Sequence, residues 1–160
     1  KPEVNSATDE DLWGGYLNDN WDSFDGKLKT RTDAYNFADF DLQRPVLEDY
    51  AEGRTVVSSS SGTLTLDLEN GNHFTTTLTE DVTTLTISNP AASGVIMPMT
   101  LKAIQDGTGS WAITWPASFN WAGGSAATVT TTAGAYDRFS MLTDDGGTVW
   151  DASVMGQAFA

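Results

Sequence analysis

The chain has 160 residues, no cysteine, and 22 acidic against 8 basic residues, a formal net charge of −14. The missing cysteine excludes a disulfide scaffold, a thiolate metal site and a cysteine nucleophile, and the negative field disfavours nucleic acid and anionic membrane surfaces as partners. No apolar run approaches the roughly 18 residues of a membrane span and no signal peptide is visible, so membrane insertion is not expected.

The first region, residues 1–55, is acidic and aromatic. In "DEDLWGGYLNDNWDSFDGKLKTRTDAYNF" the apolar residues Trp13, Leu17, Trp21, Phe24 and Leu28 recur at helical spacing, which places them on one face. Thr8 or Asp9 can cap that helix, and the acidic first turn suits its dipole. Gly14, Gly15 and Gly26 each weaken it by about 1 kcal/mol. The stripe is narrow, so the helix needs a partner: its own β-domain, sister copies or a larger assembly. Pro45 breaks any helix before "VLEDYAEG", and the serine run in "RTVVSSSSG" reads as a flexible joint or loop.

From residue 56 to 160 the periodicity changes to two. "GTLTLDL" alternates Leu64, Leu66 and Leu68 with polar residues, and the Asn-Gly of "ENGN" predicts a hairpin into "HFTTTLT". "TTLTIS" follows, then a loop at "NPAASG" and a longer strand, "VIMPMTLKAIQDG", where Pro98 suggests an edge or a bulge. Val95, Ile96, Met97 and Met99 supply more apolar surface than one buried face requires, as expected of a central strand or a subunit contact. "SWAITWP", "ATVTTTAG", "AYDRFSMLT" and "TVWDASVMG" complete about eight strands, with a turn at "DDGG". Strands at roughly ten-residue spacing predict a mainly β fold, an antiparallel β-sandwich or jelly roll, behind an N-terminal helical or extended segment.

Three tryptophans crowd "WAITWPASFNWAGG". Trp111 and Trp115 have strand spacing around Ile113, which directs them to the core. Trp121, beside Gly123 and Gly124, is the expected rim residue; with Trp150 it is the candidate for a ligand platform or subunit interface.

Nothing assembles a catalytic set. The one histidine, His73, sits beside the Asn-Gly turn, and no G-x-S-x-G, phosphate-binding loop or H-E-x-x-H is present. Glu80 with Asp81 and Asp144 with Asp145 read as solvated turns rather than a glycosidase pair. The 144–147 turn lacks the alternation of a calcium loop. No catalytic residue, metal or cofactor is expected.

"TDEDLWGGYLNDNWDSFDG" resembles the N-terminal segment of tailed-bacteriophage fibre proteins, with Trp13, Gly14, Leu17, Asn18 and Asn20 in place of a W-G-x-x-L-N-x-N motif. "LQRPVLEDYAE" resembles the linker that follows. The ordered motifs "ITWPASFNWAGG" and "TTAGAYDRFSMLTDDGGTVWDASVMGQAFA" resemble a β-domain that ends many virion fibre polypeptides. The resemblance runs from about residue 8 to the end. It implies a homotrimer located in the virion, with the tail as the expected position, that contacts other phage virion proteins. Trp13, Leu17, Asn18, Trp21 and Phe24 would then form the virion-attachment face. No repeat or shaft separates the two parts, so a short tail fibre, a fibre adaptor and a head-attached fibre or decoration protein all fit. A carbohydrate-binding module is the competing reading, with a host-surface glycan as its partner.

Overall fold

The computed structural model describes residues 48–160. The attachment residues Trp13, Leu17, Asn18, Trp21 and Phe24, and the expected helix that carries them, lie outside the described residues. One compact unit spans Asp49–Ala160. Its regular elements are β1 (Arg54–Val57), β2 (Thr63–Asp67), β3 (His73–Leu78), β4 (Thr84–Ser88), β5 (Met97–Gln105), β6 (Phe119–Trp121), β7 (Tyr136–Thr143) and β8 (Trp150–Phe159), with a short 3-10 helix at Leu68–Asn70. Among the described residues no helix is long and apolar enough to cross a membrane.

The unit is mainly β, as expected, but its sheets are mixed. A six-stranded sheet has the order β1-β3-β5-β7-β8-β6, and β2 and β4 form a second, two-stranded sheet. The pairs β1/β3, β3/β5, β2/β4 and β6/β8 are parallel; β5/β7 and β7/β8 are antiparallel. The antiparallel expectation is therefore corrected for the β6/β8 pair and for the first half of the unit. There the chain winds as a coil, with β1, β3 and β5 in the large sheet and β2 and β4 crossing through the small one. Arg54 pairs with His73 and Thr63 with Thr84, so one coil takes about 20 residues.

Local chemistry explains the winding. Leu64 and Leu66 are fully buried while Thr63 and Thr65 are exposed. At the strand's end the Asp67 carboxylate accepts from the Glu69 N–H (3.2 Å) and from Asn89 Nδ2 of the next coil (2.8 Å). The expected Asn-Gly hairpin does not form. The 3-10 turn before Gly71 instead carries the chain into the other sheet. The serine run is the corner between β1 and β2, closed by Ser60 N–H donating to the Thr63 carbonyl at 2.9 Å. Gly62 completes that corner at φ +75°, and its carbonyl accepts from the N–H groups of Thr83 and Thr84.

Pro98 lies at a local edge, as expected, though not on an edge strand and without a bulge. β5 is central, and Pro98 pairs with Leu142 of β7 two residues before the β3 partnership begins at Thr100. A missing N–H costs little where no second neighbour awaits it. "SWAITWP" is not a strand either. Its one strand-type pairing is a parallel bridge, Val82 with Ile113, and Gln105 holds its backbone, donating from Nε2 to the Trp111 carbonyl (2.7 Å) and accepting the Trp111 N–H on Oε1 (3.0 Å). "ATVTTTAG" likewise lies outside the strands, whereas Arg54–Val57 and Phe119–Trp121 are strands the periodicity did not mark.

Both sheets bury one apolar cluster. It includes Leu64, Leu66 and Leu85 from the small sheet and Phe74, Leu101, Phe139, Met141 and Trp150 from the large one. Adding a Cβ at Gly62 would bring it 2.7 Å from Thr83 Oγ1, at a positive φ that alanine disfavours. Gly62→Ala is expected to lower stability by about 1–3 kcal/mol in urea unfolding. An unchanged midpoint would show that the corner relaxes freely.

Candidate functional site

The first candidate, the aromatic platform, is core. Trp115 packs edge-on against Trp121 and Phe139, with ring centroids 5.0 and 4.8 Å apart, and stacks on Phe119 at 5.9 Å. Its Nε1–H donates to the Ala127 carbonyl at 2.7 Å. Trp121, expected at the rim, is 8% exposed, and Trp150 is 1% exposed. Trp121 does flank a depression of about 220 Å³ beside β6 and β8, with Asn120, Asp151 and Ser153, but its ring meets Phe139 at 88° and 6.0 Å. Neither tryptophan offers an open face on which a sugar ring could stack. Their burial follows from a feature the local sequence does not display: β6 joins the sheet in parallel with β8, which turns Phe119 and Trp121 inward.

Of the second candidate, the carboxylate pairs, Asp81 and Asp145 are turn acceptors, whereas Glu80 Oε1 is buried without a hydrogen-bond partner among the described residues. Asp145 accepts the Val149 N–H on both oxygens (3.0 and 3.1 Å) and the Thr143 hydroxyl (2.9 Å). Asp106 accepts from the N–H groups of Thr108 and Gly109 and from Trp111 Nε1, at 2.8–2.9 Å. Asp81 accepts from the Ala112 N–H at 2.8 Å. Asp137, fully buried, accepts from Thr130 N–H (2.6 Å) and Ala158 N–H (2.8 Å), pinning the 128–130 segment and the chain end to β7. These acceptors are occupied by the backbone, so they are poorly placed for acid–base chemistry or cation binding. Among the described residues no three His, Asp or Glu side chains are grouped to hold a metal ion.

A third arrangement was not legible in the sequence. On the face of the six-stranded sheet away from the core, Arg54, His73, Lys102 and Arg138 line one depression of about 200 Å³ with Glu52 and Thr100. They come one from each of β1, β3, β5 and β7, four consecutive neighbours in the sheet. Register places them: Arg54 is opposite His73, and Lys102 is opposite Arg138. His73, expected as an exposed turn residue, is half-buried at the start of β3. Its Nε2 meets Glu52 Oε2 at 2.6 Å, and its Nδ1 meets Thr100 Oγ1 at 2.8 Å. A carboxylate only accepts, so the ring carries a proton on Nε2.

A fourth feature is apolar. Val95 and Ile96 are 53% and 67% exposed, and the Gly94 N–H donates to the Asp144 carbonyl, so their loop borders the turn that carries exposed Val149. Val154, Met155 and Phe159 on β8 are exposed as well. The central-strand reading of "VIMPM" applies to β5, with Met97 and Met99 turned to the core, while Val95 and Ile96 lie before the strand and are exposed.

No protein-family model, curated protein or solved structure matches the chain.

The turn aspartates generate a pH prediction. Asp145 ionises below the ordinary carboxylate range, chiefly because the Val149 N–H bonds favour its charged form. Asp106 does so through Gly109 and Trp111, and Asp67 through Asn89 and Glu69. A pKa lowered by folding stabilises the protein above the unfolded-state value of about 3.9, and that contribution is lost as pH falls through the folded-state value. Asp145→Asn is expected to lower Tm at pH 6, and the gap to wild type should close as pH falls below about 4. A gap that persists or widens at pH 3 would assign Asp145 a role independent of its charge.

Proposed function

We propose that the protein is a structural component of a tailed-phage virion: a homotrimeric tail fibre or fibre adaptor. In this reading the N-terminal segment docks on other virion proteins and the β unit projects. The motif order of the sequence supports it, and one observation on the β unit carries it. Nine large apolar side chains stand exposed on a unit of modest size, among them Val56 on the terminal strand β1, the adjoining Val95, Ile96 and Val149, and Val154, Met155 and Phe159 on β8. Such surface is unfavourable in a monomer and is removed from water by symmetric association. The mainly β unit also fits the β end-domain that the fibre resemblance implies.

The reading is non-enzymatic and needs no metal or cofactor. A carbohydrate-binding module remains the second reading. What favours it is the polar depression on the large sheet, since the tryptophans are buried. A head-attached fibre or decoration protein would share the same association chemistry.

Light scattering of the full chain is expected to give three times 17.1 kDa across a wide concentration range. Ile96→Asp and Met155→Asp, each placing a charge on the exposed apolar surface, should shift that mass towards the monomer while leaving the circular dichroism spectrum unchanged. A monomer in the unmodified protein at all concentrations would remove the trimeric fibre reading.

A further inference from the structure

The β unit's cations are few and gathered. After residue 47 the chain has twelve carboxylates, and its only Lys or Arg residues are Arg54, Lys102 and Arg138. All three line the same depression on the outer face of the six-stranded sheet, together with the chain's single histidine. Neighbouring strands lie about 4.8 Å apart, so four consecutive strands bring these groups within reach of one small ligand. Gathering like charges costs energy, and twelve carboxylates were available elsewhere as partners. Only one, Glu52, enters the depression, and it is engaged by His73. Among the described residues none of the three cations lies within ion-pair distance of a carboxylate.

The cations are also held in place. Lys102 Nζ sits 3.7 Å from the Tyr136 ring centroid, and the Arg138 guanidinium lies 5.7 Å from the same ring. Tyr136 is itself stacked on Phe159, centroids 5.0 Å apart and planes 17° from parallel. Cation–π contact fixes the long Lys102 side chain before any ligand arrives, which reduces the rotamer entropy lost on binding. The His73–Thr100 hydrogen bond and the His73–Glu52 contact hold the opposite wall.

We infer that this depression binds an oxyanion, a carboxylate or phosphate group carried on a small polar unit such as an acidic sugar. The guanidinium of Arg54 or Arg138 can take two oxygens in a fork, and Lys102 supplies a point charge. The volume, about 200 Å³, lies below the roughly 300–1,000 Å³ of drug-sized pockets and suits one charged sugar residue rather than an extended chain. At long range the net negative charge of the protein opposes anions, so attraction is confined to this face. This site stands apart from the fibre reading: a monomer that binds anions removes only the trimer, and a trimer that binds none removes only the site.

The test titrates the full-length protein with glucuronate, inorganic phosphate and, as the neutral control, glucose. Saturation-transfer NMR reads the two sugars and phosphorus NMR line broadening reads phosphate. At least one anion is expected to bind and glucose is not. The double variant Lys102→Gln with Arg138→Gln should weaken the anion by about tenfold or more, and high salt should weaken it in the unmodified protein. Glucuronate alone would identify a carboxylate-bearing sugar as the ligand class, phosphate alone a phosphate-bearing one, and binding of both the shared oxyanion chemistry. Arg54→Gln, on the exposed edge strand, provides a second variant if the double change disturbs the fold, and it should also weaken binding. Silence towards both anions, equal binding of glucose, or variants that bind as tightly as the unmodified protein would overturn the site.

Discussion

The parallel register between successive coils governs the rest of the β unit. Leu64 and Leu66 of β2 lie beside Leu85 and Ile87 of β4, so the small sheet presents a ridge of aliphatic side chains. That ridge shares a buried cluster with the inner residues of β3, β5 and β7, and it is the only regular structure layered on the large sheet among the described residues. One face of the large sheet is thereby dry and the other is left to water or to a partner. Each strand can satisfy this arrangement only by alternating apolar and polar residues, which is why leucine and threonine dominate the winding half.

The same constraint makes corners, not strands, the demanding positions. A coil must turn within a few residues and stack its turn on the one beneath. Gly62 does so with a positive φ and a carbonyl shared by two N–H groups of the next coil; Asp67 does so by accepting from Asn89 one coil later. In the second half the aspartates serve instead of stacking. Asp106 and Asp137 each tie down two backbone N–H groups and Asp145 holds that of Val149 on both its oxygens, and Asp137 does this from full burial. The acidity of the chain is thus partly structural. A carboxylate that accepts backbone N–H groups closes a loop without needing a cation.

The surface of the β unit then has two characters. Its depression gathers Arg54, His73, Lys102 and Arg138, while exposed apolar side chains mark β8, the end of β1 and the loops before β5 and β8. Apolar exposure suits association between copies, and gathered positive charge suits recognition of an anion. These properties are compatible with one protein that assembles by one surface and touches a target with another.

The sequence by itself determined the mainly β class, the alternation that buries Leu64, Leu66, Phe74, Leu78 and Leu85, the turn positions around Gly71, residues 89–94 and 144–147, and the surplus apolarity of Val95 and Ile96. These are local properties, set by side-chain period and by the φ that glycine or asparagine tolerates. Tertiary structure decided the pairing. An alternating strand looks the same whether its neighbour runs parallel or antiparallel, and an Asn-Gly turn reverses the chain without saying which sheet receives it. Hence the expected hairpin became a crossover, and Trp121 and Trp150 went to the core when β6 paired with β8. Register also brought four residues spread from position 54 to position 138 onto adjoining strands, a proximity that no local pattern encodes because it depends on which strands pair and with what offset.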